Sequence, residues 1–257
     1  MAKHNYRGIL PGSFTMGSVV CGFLAILSAF EGELITACWL VILAGFLDGL
    51  DGKIARLSGA TSRFGIELDS LADFLSFGVA PAVIIYVAKL QMLGKWGWLI
   101  GVVYIMAASY RLARYNLLAT TEEKMDFVGL PVPAAAMPVV TYLIFSDYLW
   151  GQINYGQYLV SMIILLSALM VSQVPYDSMP DRFNTVKNRI KIAIIIIAAI
   201  AVLINPQLLL FPFFAAYIIF GLVRGAYKYL YLGVGMVKKR RQFRDRKVKK
   251  TESLDEQ

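Results

Sequence analysis

Four aspartates, Asp48, Asp51, Asp69 and Asp73, fall in the stretch FLDGLDGKIARLSGATSRFGIELDSLADF, residues 46–74, of a chain otherwise built from apolar blocks. Asp48 and Asp51 are spaced i,i+3, and Asp69 and Asp73 are spaced i,i+4, so on helices each pair shares one face. A loop near SGATS lets the two helices run antiparallel and brings the pairs together. Four ionised carboxylates in one pocket repel one another, and an aspartate deep in a bilayer costs about 2.5–3.5 kcal/mol, less near the interface. Hard divalent cations with oxygen ligands neutralise such a cluster best, and two of them balance its charge. Gly52 and Ala55 lie one turn beyond Asp48 and Asp51, and Gly65 one turn before Asp69, so the carboxylate face is left clear for a bulky ligand. Arg56 adds a guanidinium suited to bidentate phosphate recognition. Carboxylates, metal, arginine and cleared space together describe a phosphate-handling site. Glu67, two residues from Asp69, points away from that face.

The elements that must position these residues are membrane helices. The chain of 257 residues is 58% hydrophobic with a mean hydropathy of +0.62, against about 45–50% apolar for soluble domains. Its apolar blocks reach the roughly 20 residues needed to cross a hydrocarbon core. The pattern predicts an all-α polytopic bundle of about eight spans: 14–30, 34–57, 66–89, 95–118, 131–150, 156–175, 189–205 and 207–231. Pro131 and Pro133 mark a helix start, and Asn205-Pro206 marks a break. Of the 25 Lys and Arg, only Lys89 and Lys95 sit on outer turns when the N-terminus is cytoplasmic. That asymmetry predicts both termini, and the aspartates, on the cytoplasmic side. The single histidine, His4, excludes a His-based zinc site and disfavours His-assisted Ser or Cys chemistry. Cys21 and Cys38 lie inside apolar blocks and read as buried thiols. The tail from Lys238 to Lys250 carries nine basic residues and one acidic residue. It reads as a topology anchor, or as a segment attracted to anionic lipid. No nucleic-acid fold accompanies the charge, so nucleic-acid binding is not expected.

The same stretch resembles the signature of the CDP-alcohol phosphatidyltransferase family, D-x2-D-G-x2-A-R-x8-G-x3-D-x3-D. Every fixed position is present, as Asp48, Asp51, Gly52, Ala55, Arg56, Gly65, Asp69 and Asp73. The resemblance implies a six-helix catalytic membrane core, here with further C-terminal spans, and a homodimer. It also implies that Asp48, Asp51, Asp69 and Asp73 hold two divalent ions, Mg2+ or Mn2+. By the same match Gly52, Ala55, Arg56 and Gly65 line the CDP-lipid site, Ser62 adds a phosphate contact, and Asp73 is the general base. The expected organisation is a catalytic core over 1–175, two additional spans within 176–233 and a basic cytoplasmic tail over 234–257.

Beyond the metal motif, ELDSLADFLSFGVAPA, YRLARYN, DFVGLPVPAAA and LMVS resemble the phosphatidylserine synthase branch of the family. The donor implied is CDP-diacylglycerol, the acceptor L-serine, and the membrane the cytoplasmic (inner) one. Gly12 and Ser18 depart from the pattern, standing where asparagines are common. Arg111, Arg114 and Asn116 close the fourth span. They read either as interfacial residues that set topology or as contacts to the acceptor or to a lipid phosphate. Three alternatives stay open at this level: another acceptor such as glycerol 3-phosphate or inositol phosphate, an archaeal ether-lipid donor, and a membrane metal-ion or solute transporter. A transporter would be expected to line its path with acids across the bilayer, whereas these gather at one interface.

Overall fold

The computed structural model describes residues 9–58, 63–119, 129–152, 157–172 and 202–227, and among them there is no strand. Helix α1 (Ile9–Phe30) and helix α2 (Leu34–Ser58) form an antiparallel hairpin. Their turn is closed by Gly32, whose φ of +87° suits glycine at the residue after a helix end. The N–H of Glu33 reaches back to Ser28 O at 2.9 Å and that of Gly32 to Ala29 O at 3.1 Å. These bonds satisfy carbonyls that the helix end leaves unpaired. The hairpin seam is made of small residues: Cys21, Ala25, Ala29, Ala37, Cys38 and Ala44 are all buried. In lipid, where hydrophobicity does not drive helices together, such residues let backbones approach closely.

The third span runs from Phe64 to Ala88 and departs from the regular helix expected over 66–89. Helix α3 (Arg63–Asp73) gives way to a π-helical segment, Phe74–Val79, before helix α4 (Ala80–Ala88). Pro81 supplies a physical reason. It has no N–H for the carbonyl of Phe77, four residues back, and its ring crowds that carbonyl. The turn widens, and the N–H of Ala80 bonds Leu75 O instead. The Phe77 carbonyl is taken up by the buried hydroxyl of Tyr104 at 3.1 Å. One extra residue in a turn rotates everything before it by about 100° relative to a regular helix. The aspartates of α3 are therefore re-aimed with respect to α4. Gly22 of α1 makes room for this wide turn, since a Cβ there would lie 2.9 Å from the Ser76 Cα. Ser76 Oγ donates to Ser18 O at 2.9 Å, and Ser18 Oγ donates to Ser76 Oγ at 3.3 Å.

A short 3-10 turn, Leu90–Leu93, leads to helix α5 (Lys95–Ala119), followed by α6 (Val132–Trp150) and α7 (Gln157–Val171). Helix α8 (Pro206–Tyr227) closes the described chain. The start of α6 and the break before α8 fall where Pro131 and Asn205-Pro206 predict them. Asn205 Oδ1 accepts the N–H of Leu208 at 3.3 Å, an N-cap, with Pro206 in the first helical position. Six of these helical stretches are long and apolar enough to cross a membrane, and Tyr158–Val171 is a shorter apolar one. The span expected over 189–205 lies outside the described residues except for its last few, as does the tail over 234–257.

The third span and α6 are the most enclosed, while α8 is peripheral. It meets α6 through Phe211, whose ring centroid is 5.2 Å from Tyr142 and 5.3 Å from Phe145. Large apolar side chains such as Phe23, Phe46, Leu71, Met106 and Phe220 face outward. That is the arrangement expected when the solvent is hydrocarbon.

The Tyr104 bond generates a prediction. Tyr104→Phe keeps the packing but leaves the Phe77 carbonyl unpaired, which costs about 1–3 kcal/mol. The thermal unfolding midpoint of detergent-solubilised protein should drop accordingly. An unchanged midpoint would show that the widened turn does not depend on this bond.

Candidate functional site

Three helices meet at the end of the hairpin. Asp48 and Asp51 occupy the last turns of α2, and Asp69 and Asp73 lie on α3. One carboxylate oxygen from each of Asp48, Asp51 and Asp69 falls within 4.8 Å of the others. Asp73, the fourth of the expected set, is not one of those three, but it lies near enough to Asp48 and Asp69 for their charges to interact. The i,i+3 and i,i+4 spacings put each pair on one helix face, and carboxylates of α2 and α3 converge as that spacing leads one to expect. Asp51 is only 4% exposed.

Two contacts explain how this charge is held in place. Thr15 of α1 donates its hydroxyl to Asp51 Oδ2 at 2.7 Å, which orients that carboxylate from a third helix. Arg111 of α5, 9% exposed, lies near enough to Asp73 for their charges to interact. Its guanidinium sits over the Tyr115 ring, 5.0 Å from the centroid. One oxygen of Asp73, Oδ1, is buried and makes no hydrogen bond to the protein.

These features test the fit of a divalent cation. The donor set is all oxygen, the ligand atoms converge, and a buried carboxylate oxygen lacks a protein partner. Each is what a hard cation requires. The residues fit the group that the motif implies.

The remaining expected residues divide by position. Gly52 lies beside the cluster with open space above it, since a Cβ there would meet nothing within 4 Å. Gly65 is on α3, facing the same end of the bundle. Ala55 and Arg56 are placed on α2 by its backbone alone, and Ser62 lies outside the described residues. Arg114 is half-buried one turn from Arg111. Asn116 ties α5 to α3: its Nδ2 donates to Ser70 Oγ at 3.0 Å and to Glu67 Oε2 at 3.4 Å. Glu67 thus turns away from the aspartates, as its spacing predicts. Gly129, at φ +89°, turns the chain into α6. The next N–H, of Leu130, bonds Leu169 O of α7 at 3.1 Å.

Thr15, Ser76 and Tyr104 are not singled out by spacing. A signal was present for the first: Thr15 and Ser18 put two hydroxyls i,i+3 in an apolar span, and both prove buried.

Comparison with known proteins adds an independent line. The family profile described as CDP-alcohol phosphatidyltransferase matches residues 8–174. A Helicobacter pylori protein named CDP-diacylglycerol–serine O-phosphatidyltransferase is 37% identical over 218 residues, covering 84% of this chain and 90% of the relative. A Mycobacterium tuberculosis protein of the same name is 36% identical over 225 residues, covering 81% of this chain and 75% of the relative. An archaetidylserine synthase from Methanothermobacter thermautotrophicus is 36% identical over 170 residues, covering 65% of this chain and 69% of the relative.

The Thr15 contact is open to direct measurement. Groups that orient a ligating carboxylate typically contribute about 10- to 100-fold to metal affinity. Thr15→Val should weaken Mn2+ binding by at least about 10-fold, read as free Mn2+ by electron paramagnetic resonance. Thr15→Ser should restore it, and equal affinity in all three proteins would remove Thr15 from the site.

Proposed function

The chain belongs to the CDP-alcohol phosphatidyltransferase family, and on that premise we propose that it transfers a phosphatidyl group from CDP-diacylglycerol to the hydroxyl of L-serine, giving phosphatidylserine and CMP. The observation that carries this reading is the convergence of Asp48, Asp51 and Asp69 at one end of the helix hairpin, within 4.8 Å, with Asp73 beside them. The choice of serine rests on the names of the relatives in Helicobacter pylori and Mycobacterium tuberculosis.

In this reading Asp48, Asp51, Asp69 and Asp73 hold two divalent ions, Mg2+ or Mn2+. When bound, those ions supply positive charge that stabilises the pyrophosphate and the departing CMP. The acyl tails of the donor stay in the bilayer while its pyrophosphate lies over the open face at Gly52. Gly65 and Ala55 keep that face low, and Arg56 and Ser62 contact phosphate oxygens. Asp73 accepts the proton of the serine hydroxyl as its oxygen attacks the lipid-side phosphorus. The new P–O bond to serine forms as the bond to the CMP oxygen breaks.

Residues 1–175 act as the catalytic unit in this reading, with the spans within 176–233 and the tail over 234–257 appended to it. Support comes from the family match, which ends at residue 174. The uneven placement of Lys and Arg supports cytoplasmic termini and a cytoplasmic-side site in the inner membrane. Assembly as a homodimer belongs to the same reading.

The decisive experiment supplies proteoliposomes with CDP-diacylglycerol and one alcohol at a time and follows CMP release. Serine should support turnover, while glycerol 3-phosphate and inositol phosphate should not. The reverse pattern would transfer the assignment to another acceptor. A strong preference for a CDP-linked ether lipid would move the donor. Asp73→Asn should cut turnover by about 100-fold or more with the protein still inserted. If Asp73→Asn leaves turnover intact, the proton passes elsewhere.

A further inference from the structure

The two aspartate pairs sit on helices that barely meet. Among the described residues α2 and α3 make at most a marginal contact with each other, yet carboxylate oxygens of Asp48, Asp51 and Asp69 fall within 4.8 Å. What the two helices share is α1, which packs along α2 and also against α3 and the wide turn that follows it. One face of α1 makes the closest contacts in both directions. Thr15, Ser18 and Gly22 are spaced i, i+3 and i+7, so they line up along the helix. Toward α2, Thr15 donates to Asp51 Oδ2 at 2.7 Å. Toward the wide turn, Ser18 O accepts the Ser76 hydroxyl at 2.9 Å, and Ser18 Oγ donates to Ser76 Oγ at 3.3 Å. Both serines are buried. A Cβ on Gly22 would lie 2.5 Å from Ser76 Oγ and 2.9 Å from the Ser76 Cα, a backbone atom that cannot swing aside. Ser76 is three residues past Asp73, so α1 grips the third span one turn from its aspartates.

We propose that this face of α1 is a gauge that sets the spacing between the two aspartate pairs, and through it the size of cation the site accepts, with Ser18 and Ser76 as positioning residues. The inference rests on the reading that the aspartates hold divalent ions and deepens it by naming what selects among them. Like charges facing each other across a cleft push its walls apart, so the separation holds only if the helices are held. Packing of α2 on α3 does not supply that restraint. Packing of each on α1 does, through hydrogen bonds strengthened by an apolar interior and a backbone approach that only a glycine allows. Choice between cations turns on cavity size and rigidity. Mg2+ demands near-octahedral oxygen ligands at about 2.0–2.1 Å, whereas Ca2+ accepts six to eight at about 2.3–2.6 Å. A cleft held closed by α1 favours the smaller ion, and a cleft released from α1 admits the larger.

The test titrates the detergent-solubilised full chain with Mn2+, read as free Mn2+ by electron paramagnetic resonance, with Mg2+ and Ca2+ as competitors. Ser76→Ala removes both bonds to Ser18. It should weaken Mg2+ binding by at least about 10-fold and Ca2+ binding by less, so that the ratio of the two affinities moves toward Ca2+. Gly22→Ala, which wedges α1 away from the wide turn, should move the ratio further in the same direction. Ser18→Ala keeps the carbonyl acceptor and needs no extra space, so it disturbs folding least and should give a smaller shift of the same sign. Gly101→Ala, whose new Cβ meets nothing within 4 Å, should match the unaltered protein. An unchanged ratio in both serine variants would overturn the proposal. Equal losses for both cations together with a lower thermal midpoint would overturn it too, since a merely structural contact behaves in that way. Absence of Mn2+ binding by the unaltered protein would remove the cation reading itself and the gauge with it. That result needs no variant, which separates it from failure of the gauge alone.

Discussion

Mutual repulsion among carboxylates within an otherwise apolar helix bundle is the constraint around which the protein is organised. Asp48, Asp51 and Asp69 bring ligand oxygens within 4.8 Å of one another, and Asp73 adjoins them. In water such a cluster would spread apart, because its members gain nothing by meeting. Here the close packing of α1 on α2, the contact of α1 with α3 and the Thr15 hydroxyl on Asp51 hold the charges together. In the proposed function the gathered charge is what meets a cation and, through it, phosphate oxygens, and the stability given up in assembling the cluster would return as affinity for such ligands.

A membrane interior allows this arrangement only if the surrounding backbone is satisfied, since no water is at hand to pair with a broken helix. Pro81 breaks the ladder of the third span at Phe77, and the hydroxyl of Tyr104 repairs it from α5. The resulting wide turn needs space, which Gly22 provides on α1. Ser18 and Ser76 then bond across the contact. A defect in one helix is thus supported by residues of two others, and its consequence is the direction in which the aspartates of α3 point. Widened turns recur near functional sites for this reason: they reset the register of a helix without ending it.

The helix α5 contributes on its own terms. It lies against the wide turn through Tyr104, against α3 through the Asn116 contacts with Ser70 and Glu67, and against Asp73 through the Arg111 charge. These three contacts follow one another along α5 from the bundle interior toward the end that holds the cluster. They hold α3 and the wide turn from α5, while α1 packs on α3 as well, so Asp69 and Asp73 sit on a helix held by two others. Bracing of this kind suits a site whose ligands must keep their separation while a large lipid substrate comes and goes.

The sequence by itself determined the spacing of the four aspartates, the extents of most membrane helices and the breaks at Pro131 and Asn205-Pro206. Each of these is local: helix periodicity, span length and proline geometry act over a few residues and leave their mark directly in the chain. Gly52 and Glu67 were legible for the same reason, because their position relative to the aspartates fixes which way they face. The tertiary structure alone decided that Thr15 orients Asp51, that Ser18 meets Ser76, and that Ser70 engages Asn116. These pairs lie 36, 58 and 46 residues apart in the chain. Nor could periodicity show that Arg111 turns inward or that the third span widens after Asp73, although Pro81 was a visible hint. Such choices depend on which helix faces which across the bundle, and packing between distant segments imposes no period on either of them.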